Sequence, residues 1–216
     1  MGHRRVVHVI DDEADVCEAL KVLLDTAGLE ARTYASAEEF LSEVRLSRPL
    51  CLLVDVRLPG MSGLDLVRQL QQGPMSPVVV MITGHGDVPL AVKAMRAGAL
   101  HFLEKPFEPA ELLQTLEEAH QRVSQMVAEE ANCAAIEASY RSLTAREQEV
   151  MALLAEGMPT KLLATKLGIS TRTAEHHRAA VLQKMGARTV SHLARMSMSL
   201  QGRNAPGPPH PPLCSH

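Results

Sequence analysis

Aromatic side chains are almost missing from this chain: they make up 2% of 216 residues, as three Phe, two Tyr and no Trp. A surface that stacks unpaired bases on aromatic rings is thereby excluded, and any core has to be aliphatic. Cysteine is equally sparse. Cys17, Cys51, Cys133 and Cys214 stand far apart with no CxxC spacing, which argues against a disulfide framework or a thiolate metal site and for reduced thiols in a cytosol. No run of about 18 apolar residues occurs, and the opening MGHRRVVHVI lacks the apolar stretch of a signal peptide. The expectation is a soluble, cytoplasmic protein with no membrane contact.

At 46% hydrophobic residues, the chain can bury a sizeable core, and its length exceeds one typical domain. The net charge of −3 conceals an asymmetry. Residues 1–121 hold 11 Lys and Arg against 18 Asp and Glu (net −7), residues 122–139 hold 1 against 3, and residues 140–216 hold 10 against 4 (net +6). An acidic module joined to a basic one implies that only the second meets a polyanion.

In the acidic part, short β-branched runs alternate with helical periodicity. Strands are expected at residues 6–10, near 30–34, and at 50–54, 77–82 and 100–103. Helices are expected at 13–27, after Ser36, and at 62–71, 87–97 and 108–121. Ser36 with Glu39 three residues on reads as a capping box. Five such units predict an α/β doubly wound five-stranded parallel sheet, in which ligands bind outside the carboxyl ends of the strands. Those ends carry Asp11 and Asp12, Asp55, Thr83, and Lys105. Three carboxylates gathered there repel by roughly 4 kcal/mol per pair at about 4 Å in a dielectric near 20. Lys105 and a hard divalent cation, Mg²⁺ by preference, restore neutrality. Asp55 then becomes a nucleophile for a phosphoryl group, with Thr83 and Lys105 bonding to the phosphoryl oxygens.

Residues 123–139 are Ala/Glu-rich without Gly or Pro and read as a helical linker. Beyond them strands vanish. Helices are expected near 144–155, 159–167, 171–185 and 189–199, separated by Gly157, Gly168 and Gly186, with Thr144 and Glu147 marking the first start. Helix, Gly168 turn, Ser170 cap and helix form a helix-turn-helix pattern. The tail 204–216 is Pro-rich and is expected to be disordered or polyproline II.

The motifs DDE at 11–13, LPGMSG at 58–63, TGHGD at 83–87 and FLEKPF at 102–107 resemble receiver domains of bacterial response regulators. The resemblance spans residues 4–122. It implies that Asp11, Asp12, Asp55 and the backbone carbonyl of Arg57 hold Mg²⁺, that Asp55 accepts a phosphoryl group from a cognate sensor histidine kinase, and that Thr83, Phe102 and Lys105 form the switch. LTAREQEV, KLLATKLGIS and RTAEHHRAAVLQKMGART resemble the helix-turn-helix domain of the LuxR, FixJ and NarL group, over residues 140–203. Taken together, the chain is most similar to the FixJ subgroup.

In such a domain the second helix enters the major groove. Glu175, His176 and Ala179 are expected to face bases, while Lys161, Arg172, Thr173, Arg178 and Lys184 are expected to meet phosphates. Ala174 stands where the group usually has Val. Adjacent His176 and His177 diverge by about 100° on a helix, which argues against a shared metal. The expected whole is a regulator that dimerises on phosphorylation through helix 87–97 and the segment after it (Ala91, Val92, Ala94, Met95, Ala99), binds promoter DNA and, with RNA polymerase as a further partner, activates transcription. Two alternatives stand beside it: a DNA-binding regulator whose receiver is only a scaffold, and a phosphohydrolase turning over an aspartyl phosphate. The latter would want an acid where Arg57 stands, so no turnover enzyme is expected.

Overall fold

The structure, a computed structural model, describes residues 5–45, 47–73, 76–84, 86 and 88–202, the side chains of 201 and 202 excepted. The Pro-rich tail, residue 4, and the expected helix start at 87 lie outside the described residues. Contacts divide the chain between Ala128 and Glu129 into two compact units.

The first unit alternates strand and helix: β1 (Val6–Ile10), α1 (Ala14–Thr26), β2 (Glu30–Tyr34), α2 (Ala37–Glu43), β3 (Cys51–Asp55), α3 (Gly63–Gln71), β4 (Val78–Thr83), α4 (Val88–Ala97), β5 (His101–Glu104) and the start of α5 (Pro109–Arg141). All strand pairs are parallel, in the order β2-β1-β3-β4-β5. The chain therefore reverses its winding between β1 and β3, which opens a crevice at their carboxyl ends.

Unbroken apolar runs mark strands covered on both faces, and every residue of β3 and β4 is buried. On one face Leu20 and Leu24 of α1 and Leu112 and Leu116 of α5 pack with Val7, Val9, Leu53, Val80 and Ile82. On the other, Phe40, Leu66, Leu70 and Ala94 of α2–α4 pack with Ile10, Leu52, Val54 and Met81. Ser36 caps α2 by accepting from the Glu39 N–H at 3.1 Å, but the Glu39 carboxylate reaches one residue further back than a capping box requires, to the Ala35 N–H at 2.6 Å.

The second unit holds the last turns of α5 with α6 (Ala145–Ala155), α7 (Thr160–Leu167), α8 (Thr171–Met185) and α9 (Val190–Gly202). Its core gathers Ile136, Val150, Met151, Leu154, Leu163, Ala174, Val181, Met185 and Leu193. Thr144 and Glu147 form a complete capping box. Gly168 and Gly186 end α7 and α8 in the left-handed region, at φ 65° each, where a Cβ is strained. The 33-residue α5 is helical through the segment read as a linker. Its Val123 and Met126 pack on the first core and Ile136 lies in the second, so this segment is a structural part of both units.

The approach of α3 to the end of β3 is the tightest constraint on the crevice. A Cβ on Gly63 would lie 2.0 Å from the Asp55 carbonyl oxygen. Gly63→Ala should destabilise the first unit by about 1–3 kcal/mol in urea titration, while Gly84→Ala, whose Cβ would meet nothing within 4 Å, should stay within about 0.5 kcal/mol of the parent.

Candidate functional site

The loops after β1, β3 and β5 bring their charged residues to one point. Lys105 Nζ donates to Asp11 Oδ2 and to Asp55 Oδ2, each at 2.7 Å, and to Glu13 Oε1 at 3.4 Å. The other carboxylate oxygens are held locally: Asp11 Oδ1 accepts from the Glu13 N–H at 3.0 Å, and Asp55 Oδ1 from the Arg57 N–H at 2.7 Å. Asp11 and Asp55 are 1% and 4% exposed. Burial raises the Asp11 pKa against the pull of Lys105. Burial also works to lower that of Lys105, but its hydrogen bonds to Asp11 and Asp55 prevail and hold it above the ordinary lysine range.

Ligand oxygens of Asp11, Glu13 and Asp55 lie within 4.8 Å of one another. With Lys105 they carry a net −2, and three hard oxygen donors suit a divalent cation. Asp12, expected among the metal-binding residues, is exposed, and Glu13, not expected among them, joins Asp11 and Asp55 in this trio. The chain bends at Asp12, and the Glu13 N–H turns back onto Asp11 Oδ1 as in an Asx turn, which brings Glu13 beside the Asp11 carboxylate. The DDE run contained that signal.

Thr83 is fully buried at the end of β4, and its carbonyl accepts from the Lys105 N–H at 2.7 Å. Phe102 is half-buried on β5, opposite Met81. Arg57 is exposed. Of the apolar residues expected on the α4 surface, Ala94 and Ala99 point into the core, 0% and 5% exposed. The open stripe consists of the expected Val92 and Met95, at 43% and 39% exposure, together with Val88, at 78%, which was not among the expected residues.

In the second unit, α7, the Gly168 turn and α8 form the helix-turn-helix. Ala174, Val181 and Met185 turn α8 toward the core, and the small Ala174 is fully buried there. The opposite face exposes Arg172, Thr173, Glu175, His176, Arg178 and Ala179, and Lys161 is exposed on α7. The Thr173 hydroxyl lies 2.8 Å from that of the capping Ser170. The rings of His176 and His177 are 6.3 Å apart, centre to centre.

Lys184 differs from the other expected phosphate contacts. Its Nζ donates to Glu147 Oε2 at 2.7 Å, and that same oxygen accepts from the Thr144 N–H at 2.8 Å. The lysine thus ties the end of α8 to the start of α6, and its hydrogen bond, reinforced by the Thr144 N–H, holds the Glu147 pKa at about 2.

An acidic crevice on a doubly wound parallel sheet and a helix-turn-helix with a basic outer face together define a signal-receiving module joined to a DNA-binding one. Residues 7–117 match the family of response regulator receiver domains, and residues 141–197 match the bacterial regulatory proteins of the luxR family. The chain belongs to the two-component response regulators with a LuxR-type DNA-binding domain. It is 39% identical to the transcriptional regulatory protein FixJ of Rhizobium meliloti strain 1021, over 89% of this chain and 95% of that one. It is 44% identical to the C4-dicarboxylate transport transcriptional regulatory protein DctR of Rhodobacter capsulatus, over 88% and 98%. Among solved structures it resembles the response regulator StyR, with a TM-score of 0.77 and 38% identity over 90% of this chain and 98% of that one. Full-length FixJ from B. japonicum matches with a TM-score of 0.54 and 38% identity, over 93% and 98%. The two modules imply a histidine kinase and DNA as partners. Among the described residues no helix is long and apolar enough to cross a membrane.

A depressed carboxylate pKa stabilises the fold above its unfolded value and ceases to do so as pH falls through the folded one. Glu147→Gln and Lys184→Met should each lower the melting temperature of the helical unit at pH 7, and both should converge with the parent as pH falls from about 4.5 toward about 2. A gap that persisted unchanged at low pH would mean that the ion pair does not hold α8 to α6.

Proposed function

We propose that Asp55 accepts a phosphoryl group from a cognate sensor histidine kinase and that this modification drives dimerisation and sequence-specific binding to promoter DNA, activating transcription with RNA polymerase. The carrying observation is the Lys105 ammonium that bridges buried Asp11 and Asp55 beside Glu13. A pocket so rich in carboxylates is suited to a cation and to a phosphoryl group that brings its own charge.

Mg²⁺ fits the donor set. Asp11, Asp55 and the Arg57 carbonyl would hold it with Glu13 and Asp12, and when bound it neutralises charge on phosphoryl oxygens. Asp55, held in place by the Arg57 N–H, attacks phosphorus through a carboxylate oxygen. The bond from phosphorus to the kinase histidine breaks, and its electron pair stays on the imidazole nitrogen. Lys105 leaves its Asp55 contact for a phosphoryl oxygen, and the Thr83 hydroxyl donates to another.

Modification adds about −1.5 to −2 charges, and the shift of Lys105 and Thr83 moves the loop before α4 and, through β5, Phe102. The exposed Val88, Val92 and Met95, at i, i+4 and i+7 of one helix face, are the surface by which two copies meet. Two α8 helices about 34 Å apart then read a pseudo-palindrome. Glu175, His176 and Ala179 face bases; Lys161, Arg172, Thr173 and Arg178 face phosphates, and Lys184 reaches one only by sharing its charge with Glu147.

Acetyl phosphate with Mg²⁺ should label the parent at one residue, detected by mass spectrometry, and shift it from monomer to dimer in sedimentation. Asp55→Asn should do neither. Identical DNA affinity and a monomeric state for the treated parent and Asp55→Asn would sink the coupling and leave the receiver as a scaffold, whereas multiple turnover of a small phosphate ester would restore the phosphohydrolase. In the DNA-binding unit, Arg172→Ala and Arg178→Ala should weaken all sequences alike and reduce the salt slope of binding by about 0.9 each. Glu175→Ala and His176→Ala should change the preferred sequence and leave that slope nearly unaltered.

A further inference from the structure

A second charged concavity lies away from the acidic crevice, at the free edge of β2. It is an open hollow of about 800 Å³, lined by His8, β2 residues 31–34, Lys21 of α1, Glu43 at the end of α2, and residues that follow α2, among them Arg45 and Arg48. In a module of net charge −7, four cations, Lys21, Arg32, Arg45 and Arg48, line one hollow whose only acidic lining residue is Glu43. Arg32 is paired with Glu30 at 2.9 Å. Lys21, Arg45 and Arg48 have no side-chain hydrogen bond or ion pair among the described residues.

The floor is rigid and polar at one point. His8 Nδ1 lies 3.0 Å from the Tyr34 hydroxyl, and the His8, Tyr34 and Phe40 rings pack at centroid distances of 5.3 to 5.8 Å. These three packed rings, of which His8 and Tyr34 line the hollow, give it a fixed base beneath the long cationic side chains.

From this geometry we infer that the β2-edge hollow is a binding site for a small oligophosphate anion, held by Arg32, Arg45, Arg48 and Lys21. Guanidinium forks match phosphate oxygens in pairs, and the volume lies within the range of small-molecule sites. The buried aromatic floor leaves no open ring for a base to stack on, so the recognised chemistry is the phosphate chain, free or carried by a nucleotide. A positive field in the hollow is also felt by His8: burial, and then the charges of Arg32 and Arg48, push its pKa down to about 4.

The test is calorimetric titration of the full chain, without Mg²⁺, by inorganic tripolyphosphate, ATP and AMP. The parent should bind tripolyphosphate and ATP at one site more tightly than AMP. Arg45→Ser/Arg48→Ser should weaken that binding at least tenfold, and Arg172→Ser/Arg178→Ser, which removes charge from the DNA-binding face, should change it less than twofold. Equal affinity for ATP and tripolyphosphate assigns recognition to the phosphates alone; tighter ATP binding adds a contact to the nucleoside, and both outcomes support the site. No binding at millimolar tripolyphosphate, or equal weakening in the two double variants, which is what general attraction to polyanions predicts, would overturn it. Circular dichroism and melting of both variants establish that loss of binding is not loss of fold.

Discussion

An ammonium group 2.7 Å from each of two buried carboxylates holds the crevice of the first unit together. Asp11 and Asp55 belong to the ends of adjacent strands β1 and β3, and without Lys105 their charges would face each other with little water to screen them. Removing one partner of such a buried cluster costs about 3–5 kcal/mol. The requirement reaches outward. Lys105 has to arrive from β5, two strands beyond β3, which fixes the loop after β5, and its N–H is bound to the Thr83 carbonyl, which fixes the end of β4. Four strand ends are positioned by one charge balance.

The two units use a common local device. In each, a carboxylate is oriented by a backbone N–H two or three residues away and neutralised by a lysine far along the chain. Asp11 and Asp55 divide these tasks between their two oxygens, whereas Glu147 places both on Oε2. The short-range bond sets the carboxylate's direction before the long-range partner arrives, so little side-chain freedom remains to be lost when the ion pair forms. In the first unit the result is a pocket that can receive a cation. In the second it is a brace between α6 and α8, and the outer face of α8 stays clear.

Much of this was legible in the sequence because it follows from local patterns. Apolar runs gave β1, β3 and β4, their recurrence with helices placed β2 and β5, helical spacing and caps gave the helices, and strand ends in a parallel sheet necessarily share one side, so Asp11, Asp55 and Lys105 had to approach one another. The less legible parts depend on direction or on distant partners. Glu13 joins Asp11 and Asp55 because the chain bends at Asp12 and the Glu13 N–H folds back onto Asp11 Oδ1. Lys184 reads as a free cation until the fold brings up Glu147, 37 positions away. Ala94 and Ala99 look like surface residues for want of size, yet the rotation of α4 turns Ala94 inward and the turn after the helix buries Ala99 beside it. The hollow beside β2 was invisible because its four cations come from three separate segments.

β3 is buried along its whole length and paired on both sides, and the N-terminal turn of α3 stands against the Asp55 carbonyl with no room for a methyl group. Asp55 is accordingly the stiffest point of its surroundings. A stiff anchor cannot absorb an added group by yielding, so displacement has to pass to the groups that touch its carboxylate, the Lys105 ammonium and the Arg57 N–H. Because β5 delivers Lys105 and the end of β4 holds its N–H, strain leaving the end of β3 is handed to those two strand ends, whatever is attached to the carboxylate.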